Sequence, residues 1–486
     1  MVTMPRPPDL PVPPPPTPLN PGATLSIDDG ATWLDPTHLA GGSPFRIMGL
    51  SPAGVSLVGR WGDGEPLGDD PAHGALARRL VDGGLVHPTF APSPGLGRVT
   101  VVIPVRDRAE ELDALLARLD GLDAVVVDDG SVDASRIAAI ADQHGARLHR
   151  RPTSGGPGVA RNEGLGLVTT EFACFVDSDC EPPEGFVTHL LPALQDPRVA
   201  LVAPRIAGRP GNGLLERFEQ ACSPLDVGRR PALVRPGGAT TFVPSACMLL
   251  RTSLGPQLFD EDLVGGEDVD LVWRLAAAGW SIRLDPCVIV GHPARPTLAS
   301  WLSQRSFYGS TAAALSDRHG DAVAPIAGSA FTVVAWGATL LGWPIAGLGS
   351  LVTGTAILSR RLDGTIEHHR NAAARLMVRS SLGAGPALAR QVVRSYAPGL
   401  LVLALVSRRV RRASIATALI GAIGRWWSAD TDLDPGRFVA LSLLDDAAYS
   451  TGLWAGVVRR RRAGALRPRL SLMRPSDRGA NGADQS

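Results

Sequence analysis

The sequence contains no lysine, so all 48 strongly basic side chains are arginine, and they nearly balance 47 aspartate and glutamate residues. Because the chain is also rich in alanine, glycine and proline, the missing lysine indicates a composition bias rather than recognition chemistry. The formal net charge is only +1. Bulk electrostatics therefore favour neither a nucleic-acid partner nor a strongly acidic ligand.

Cysteine is also scarce, and none of the cysteines has C-x-x-C spacing. The chain has five, namely Cys174, Cys180, Cys222, Cys247 and Cys287. An odd number of scattered thiols argues for reduced cysteines in the cytosol and against a zinc site. Cys180 follows an acidic triplet, but a soft thiolate is a poor ligand for Mg²⁺, so we interpret it as a packing residue.

The first residues lack the apolar segment of a signal peptide, so we expect the chain to begin in the cytosol. Residues 1–24 are instead rich in proline, which predicts a disordered, extended polyproline tether. A ligand for an SH3-type domain is the alternative. The full length of 486 residues, 44% of them hydrophobic, predicts two to four domains with a large core.

Residues 25–95 form a small module with its own apolar pattern. Helical spacing predicts one helix from Ser51 and a second that ends at Gly83 and Gly84, with a short strand on either side. This arrangement is compatible with a winged-helix shape. The closing LARRLVDGGLVHP resembles small peptide-recognition domains attached to enzymes that mature ribosomally made peptides. A structural cap is the alternative.

An apolar strand, Phe172–Val176, leads directly into Asp177, Ser178 and Asp179. Two prolines follow, and proline cannot continue a sheet ladder, so both carboxylates lie at the carboxyl end of the strand. Open α/β sheets bind ligands at that edge. Asp-x-Asp there suits Mg²⁺ or Mn²⁺, which take one or two carboxylates and complete their shell with water and phosphate oxygens. Two solvated acids in a turn are the alternative.

Strands and helices alternate from residue 98 onward. The predicted elements are a strand at 99–105, a helix at 109–119, a strand at 125–127 and a helix at 135–145. This rhythm is typical of an α/β protein with a doubly wound sheet, whose crossovers place the loop sites on one edge. The sequence therefore predicts a nucleotide-binding domain over residues 98–310.

Five motifs occur in order within that domain: VTVVIPVRDR, VVVDDGSVD, GGPGVARNEGL, FVDSD and GGEDVDLVWRL. In this order and at these spacings they resemble glycosyltransferase family 2, which has the GT-A fold. The resemblance implies an inverting, metal-dependent enzyme that uses a UDP-sugar. It also implies one in-line displacement, in which a base deprotonates the acceptor oxygen as that oxygen attacks C1 of the sugar.

The resemblance implies that Asp128 contacts the base of the sugar nucleotide, since a carboxylate accepts the imide N–H of uracil. Pro104 and Arg106 would flank the base. Arg161, in a glycine-rich turn that opens a helix, would suit the anionic side of the nucleotide. An ordinary loop is the alternative for that turn. Asp177 would act on the donor side as well as on the metal.

The same resemblance assigns Asp177 and Asp179 to the metal on the diphosphate, with His292 as a further candidate ligand. A buried histidine with satisfied hydrogen bonds is the alternative for His292. Asp268 would be the general base on the acceptor hydroxyl, and Glu267 would assist or orient it. Simple capping of a helix start is the alternative for these two acids.

Processive family members carry Gln-x-x-Arg-Trp after the catalytic domain, and this chain has WLSQRSFYG there instead. A polymer-threading synthase is therefore not expected. Residues 311–465 are apolar and predicted to be helical, and 38 consecutive uncharged residues lie between Asp321 and Arg360. They suggest a hairpin of membrane helices over 322–359, attached on the cytoplasmic side of the cell membrane. A buried helical bundle is the alternative, and residues 466–486 are expected to be disordered.

Three functional hypotheses follow. The combination of peptide-recognition-like module, GT-A core and apolar rear resembles family members that attach glucose, repeatedly, to a redox cofactor built from a ribosomal peptide. This implies UDP-glucose as donor, a small peptide-derived acceptor and a possible contact with a maturation peptide. The second hypothesis is a polyprenyl phosphate, lipid or cell-wall glycan acceptor. The third is a peptide-binding scaffold without catalysis, against which the intact acids argue.

Overall fold

The computed structural model describes residues 9–91, 95–119 and 121–472, and these residues form two compact units. Unit 1 contains the residues up to 32, 40–45 and 50–301, and unit 2 contains 33–39, 46–49 and the residues from 302 onward. Each unit has its own secondary structure and its own buried side chains.

The front of the chain forms five short strands and two helices. They are β1 (Thr24–Ile27), β2 (Thr32–Asp35), β3 (His38–Gly41), β4 (Arg46–Gly49), α1 (Pro52–Gly62), α2 (Pro71–Asp82) and β5 (Val86–Thr89). Strand β1 pairs with β5, and β2, β3 and β4 form a separate three-stranded sheet. Both predicted helices are present. Each begins with a proline and a side-chain cap, Ser51 for α1 and Asp70 for α2, which satisfies free N–H groups of the first turn.

Residues 9–20 pack within unit 1, whereas a disordered tether was expected over 1–24. The first eight residues of that tether lie outside the described ranges. The indole Nε1 of Trp280 donates a hydrogen bond to the Pro11 carbonyl at 2.6 Å, and Leu19 is buried. A polyproline segment is already extended and leaves its carbonyls free, so side-chain donors hold it at little cost in backbone entropy.

Residues 95–119 and 121–301, the described second part of unit 1, form eight strands and six α-helices. The strands are β6 (Val99–Val105), β7 (Asp123–Asp128), β8 (Arg147–Arg150), β9 (Phe172–Val176), β10 (Val199–Gly208), β11 (Ala232–Leu233), β12 (Cys247–Arg251) and β13 (Ser281–His292). The helices are α3 (Ala109–Leu116), α4 (Ala134–Gln143), α5 (Pro157–Gly166), α6 (Phe186–Leu190), α7 (Leu214–Cys222) and α8 (Glu267–Ala277).

These strands form one mixed sheet in the order β11-β13-β10-β12-β9-β6-β7-β8. Strands β9, β6, β7 and β8 are parallel neighbours, and β12 runs antiparallel between β9 and β10. Their apolar runs are buried, as expected for strands covered on both faces. Because β6, β7 and β9 are parallel, the residues that follow them meet at one edge, as the doubly wound prediction required.

Unit 2 is mainly helical. Its elements are α9 (Leu298–His319), which begins in unit 1, β14 (Ala327–Ser329), α10 (Ala330–Leu340), α11 (Pro344–Leu362), α12 (His369–Val406), α13 (Arg408–Ser428), α14 (Pro435–Arg460) and β15 (Arg469–Ser471). Strands β14 and β15 pair in parallel, so the segment expected to be disordered from 466 contains a strand; its residues 473–486 lie outside the described ranges.

No helix in the described parts of the chain is long and apolar enough to cross a membrane. The pair of spanning helices expected over 322–359 is therefore not present. The uncharged run is divided among β14, the 11-residue α10 and the 19-residue α11. A span needs about 20 predominantly apolar residues in one helix, and α11 ends with Arg360 and Arg361.

Candidate active site

The acidic loop after β9 holds two carboxylates in different surroundings. The backbone N–H of Asp177 donates to the Ala246 carbonyl at 2.9 Å, which fixes the loop to the chain entering β12. The carboxylate of Asp179 is buried and paired with the Arg108 guanidinium, and its Oδ2 lies 3.8 Å from Nε2 of His292. Asp179 and His292 are therefore close enough to act together on one ligand.

Arg161, on α5, lies between two acidic segments. Its buried guanidinium donates to Asp177 Oδ1 at 2.6 Å and to Glu267 Oε1 at 2.9 Å, and it packs over the Phe259 ring. Burial alone would lower the pKa of Arg161, but the two carboxylates outweigh it and raise that pKa. The sequence predicted a donor contact for Arg161. The structure gives it two carboxylate partners, so that the Asp177 loop and the start of α8 share one guanidinium.

Helix α8 begins at Glu267, directly after Gly266, whose φ of +79° suits glycine. The next residue, Asp268, is half-buried, and its carboxylate accepts the Ser245 N–H at 3.2 Å and the Val269 N–H at 2.8 Å. Burial, and secondly the negative charge of Glu267, raise the pKa of Asp268 to about 7. A carboxylate with such a pKa is suited to accept a proton near neutral pH.

Asp128, at the end of β7, is fully buried. One carboxylate oxygen accepts the Ser131 N–H at 2.9 Å, and the other pairs with the Arg150 guanidinium, which also donates to the Ser131 carbonyl. Both oxygens of Asp128 thus have partners inside the protein. Its predicted contact with a nucleotide base would need Arg150 to move or to share the carboxylate.

Asp129 is a site residue that the sequence analysis missed. Its carboxylate accepts hydrogen bonds from Ser154 Oγ at 2.6 Å and from the N–H groups of Gly155 and Gly156 at 2.9 Å each, and it pairs with Arg151. Burial raises the pKa of Asp129, but these hydrogen bonds lower it overall. The glycine turn expected to face the nucleotide is therefore tied to Asp129. In the sequence, Asp129 could have been found as the second acid of the DDG motif.

Pro104 and Arg106 lie where β6 ends. Pro104 is partly exposed, and the half-exposed Arg106 donates to Ser154 Oγ at 3.1 Å. Asp107 follows with a φ of +55°, and its Oδ1 accepts the Val132 N–H at 2.7 Å. The ends of β6 and β7 are thus joined around the same glycine turn, where the predicted base-flanking residues face solvent.

The donors in this cleft fit a divalent cation held mainly by Asp179 and His292. Among the described residues, no group of three or more His, Cys, Asp or Glu side chains could hold a metal. Two protein donors suffice when diphosphate oxygens and water complete the shell. Burial lowers the pKa of His292, which keeps its imidazole neutral, as metal binding requires. Asp177, the other predicted metal ligand, accepts a hydrogen bond from Arg161 at its Oδ1.

Comparisons with known proteins bear on the family of this chain. Residues 100–255 match the profile of glycosyl transferase family 2. Pre-mycofactocin glycosyltransferases from two strains of Mycobacterium tuberculosis are 37% identical over 464 residues, covering 92% of this chain and 98% of theirs. The uncharacterized glycosyltransferase YaiP of Escherichia coli is 25% identical over 221 residues, covering 43% of this chain and 56% of its own length.

Among solved structures, the mannosyltransferase PcManGT from Pyrobaculum calidifontis, in complex with GDP-Man and Mn²⁺, is 20% identical with a TM-score of 0.38. That match covers 69% of this chain and 89% of the mannosyltransferase, and at this score it carries no argument about this chain. The Mycobacterium tuberculosis relatives, in contrast, match over almost their entire length. The chain therefore belongs to glycosyltransferase family 2 and is a glycosyltransferase of the GT-A fold.

Proposed function

We propose that this enzyme transfers glucose from UDP-glucose to pre-mycofactocin, a redox-cofactor precursor derived from a ribosomal peptide, and does so repeatedly. The observation that carries the proposal is the 37% identity to pre-mycofactocin glycosyltransferases over 98% of their length. The site geometry supports the same reaction class, because a carboxylate suited to act as a base lies next to the acidic loop that follows β9.

Asp268 is the general base. The N–H groups of Ser245 and Val269 hold its carboxylate in place, so it does not have to reorganise before it accepts the proton of the acceptor hydroxyl. General-base assistance contributes about 10²–10⁴-fold to rate. Asp268→Asn keeps the shape of the side chain but removes its basicity, so we expect a loss of turnover of about that size with little change in the Kd of the donor nucleotide.

Arg161 acts as a positioning residue. Its guanidinium holds Asp177 and Glu267 at 2.6 and 2.9 Å, which sets the distance between the acidic loop and the base-bearing start of α8. It also neutralises part of the negative charge that the two acids bring together. Without it, the two carboxylates would repel each other with no positive charge between them.

Asp179 and His292 would hold a divalent metal, Mg²⁺ or Mn²⁺. When bound, the ion supplies Lewis-acid stabilisation of the charge on a departing diphosphate. Arg108 pairs with the Asp179 carboxylate, and the imidazole of His292 offers its Nε2. On the nucleotide side, Pro104 and Arg106 would flank the uracil base. Asp128 would contact the base if Arg150 moved or shared the carboxylate.

Radiolabelled transfer tests the acceptor and the donor together. The full chain is incubated with UDP-glucose that is radiolabelled in its sugar, together with Mn²⁺ or Mg²⁺. The acceptor is either the small phenolic precursor or a membrane lipid extract. We expect label in the small-molecule fraction, in products that carry one and then more hexoses, and none after EDTA treatment. Asp268→Asn is the matched inactive control. Label in the lipid fraction alone would reject the proposed acceptor and support a polyprenyl phosphate or lipid acceptor.

A further inference from the structure

Six charged side chains from four helices of unit 2 converge at one place, defined here as the arginine cluster. Its members are Arg305 of α9, Arg390 and Arg394 of α12, Arg425 of α13, and Asp445 and Asp446 of α14. Close helix packing creates the site. A Cβ on Gly452 of α14 would come within 1.7 Å of the Ser306 carbonyl oxygen on α9, and one on Gly421 of α13 would come within 2.9 Å of the Arg390 nitrogen on α12.

The two aspartates of the cluster are each only 2% exposed. Arg390 reaches both, with its Nε 3.0 Å from Asp446 and an Nη 3.0 Å from Asp445. Arg425 lies 2.7 Å and Arg305 3.0 Å from Asp445. Four guanidinium groups therefore surround two carboxylates, and within this set positive charge exceeds negative charge by two.

Arg394 is the arginine of the cluster whose contact with the aspartates is weakest. Its Nε is 3.6 Å from Asp446 Oδ1, which is too far for a hydrogen bond, and it has no hydrogen-bond partner in the part of the chain that the structure describes. Its guanidinium lies over the Tyr449 ring at 3.8 Å, and its side chain remains 16% exposed. Arg394 is thus held in place while its Nε stays available to a ligand.

Two buried hydroxyls flank the aspartates on α14. Ser442 lies one turn before Asp446 and Ser450 one turn after it, and these serines are 0% and 3% exposed. Neither Oγ has a hydrogen-bond partner among the described residues. A buried hydroxyl without a partner is unfavourable, so a polar ligand that accepts a hydrogen bond would stabilise this region.

Burial, and then the neighbouring Arg394 and Arg425, lower the pKa of Arg390 to about 10, although both aspartates oppose the shift. The four guanidinium groups of the cluster also outnumber its two carboxylates. Burying unbalanced charge is unfavourable unless a counter-charge is bound.

We propose that the arginine cluster is an internal binding site for a phosphate group. Guanidinium forks match the oxygen geometry of phosphate, and serine hydroxyls supply further donors to it. Asp445 and Asp446 orient the arginines rather than contact the ligand. The site lies in unit 2 and is independent of the proposed transfer reaction.

Titration of the full chain with inorganic phosphate tests the proposal. Binding is measured by calorimetry, and thermal stability is measured against sodium chloride at equal ionic strength. We expect saturable binding and a higher Tm with phosphate than with chloride. Arg394→Gln should weaken the Kd for phosphate at least about tenfold, because it removes a charged donor. Arg437→Gln is the matched control, since Arg437 is exposed at the start of α14 and pairs with Asp434.

Ser450→Ala provides a second, milder variant whose fold should be retained. At a phosphate site it should weaken binding severalfold, whereas in a dry structural cluster it should leave phosphate binding unchanged and stability equal or higher. Equal phosphate affinity in wild type, Arg394→Gln and Ser450→Ala would overturn the proposal. So would a Tm increase that sodium chloride reproduces. If Arg394→Gln fails to fold, the phosphate affinity of Ser450→Ala alone tests the proposal.

The source of the phosphate is distinguished by sedimentation with vesicles of phosphatidylcholine, with and without phosphatidylglycerol. Binding to the anionic vesicles that free phosphate displaces, and that Arg394→Gln loses, would identify a lipid headgroup. Phosphate binding without vesicle binding would identify a soluble phosphate compound.

Discussion

Asp268 and Glu267 are adjacent acids whose charges oppose each other at the start of α8. Because the charge of Glu267 helps to raise the pKa of Asp268, a neutral side chain at 267 should lower that pKa. A general base works in its deprotonated form, so activity rises as the pH increases through its pKa. In Glu267→Gln we expect the rising limb of the kcat/KM profile to move to lower pH by roughly one unit.

Glutamine at 267 still offers an oxygen to Arg161. A shift of the pH profile in Glu267→Gln therefore reports the lost charge and not a lost hydrogen bond. Glu110→Gln is the control, because Glu110 is an exposed residue of α3 paired with Arg136. The control should keep the wild-type pH profile. A rising limb that stays in place or moves to higher pH in Glu267→Gln would contradict the base assignment.

His292 is the second prediction at the level of a single side chain. If its Nε2 binds the metal next to Asp179, His292→Ala should raise the Mn²⁺ concentration for half-maximal activity about tenfold or more. The affinity of the protein for Mn²⁺ can also be measured without turnover, from the water-proton relaxation that Mn²⁺ causes in the presence of UDP. His189→Ala, at an exposed histidine of α6, should behave as wild type. Unchanged Mn²⁺ affinity in His292→Ala would show that the imidazole has only a packing role.

At the level of elements, the close contact between α9 and α14 depends on a residue without a side chain. A Cβ at Gly452 would lie 1.7 Å from the Ser306 carbonyl oxygen, so Gly452→Ala forces backbone movement. Overpacking of this kind typically costs about 1–3 kcal/mol of unfolding free energy. Gly349→Ala in α11 is the matched control, because nothing lies within 4 Å of its Cβ position.

Alanine stabilises an open helical position by up to about 1 kcal/mol relative to glycine, so Gly349→Ala should be neutral or stabilising. The two variants are compared by urea unfolding followed by circular dichroism. If Gly452→Ala proved as stable as Gly349→Ala, the close helix contact would not be required for unit 2.

At the largest scale, helix α2 of the front module and the mixed sheet belong to the same compact unit, and a buried ion pair connects them. Arg78 of α2 donates to both carboxylate oxygens of Asp196, at 2.7 and 3.0 Å, and both residues are buried. Burial alone would lower the pKa of Arg78, but Asp196 outweighs it and raises that pKa. Removing one partner of a buried pair typically costs about 3–5 kcal/mol, because the other charge stays buried.

Asp196→Ala should therefore lower the unfolding free energy of unit 1 by about 3 kcal/mol or more. Arg60→Gln breaks an exposed pair with Glu65 and should cost about 1 kcal/mol at most. Denaturant titration of the full chain distinguishes the two. A cost in Asp196→Ala no larger than in Arg60→Gln would mean that the module does not depend on this pair.

The sequence alone was sufficient for the elements that carry the site. Apolar runs predicted β6, β7 and β9, and the acids after them predicted which edge of the sheet would be polar. Five ordered motifs led to the family, and Ser51 marked the start of α1. These features are local, because strand alternation, helix periodicity and end residues act over a few neighbouring positions.

Only the tertiary structure decided which partners the charged side chains have and which elements the apolar residues 311–465 form. Arg161 binds two carboxylates, Asp129 binds the glycine turn, and the arginine cluster joins residues far apart in the chain. The uncharged run before Arg360 became a strand and two separate helices instead of two spans. The physical reason is that ion pairs and helix contacts depend on which surfaces pack together, and residue spacing along the chain carries no information about that.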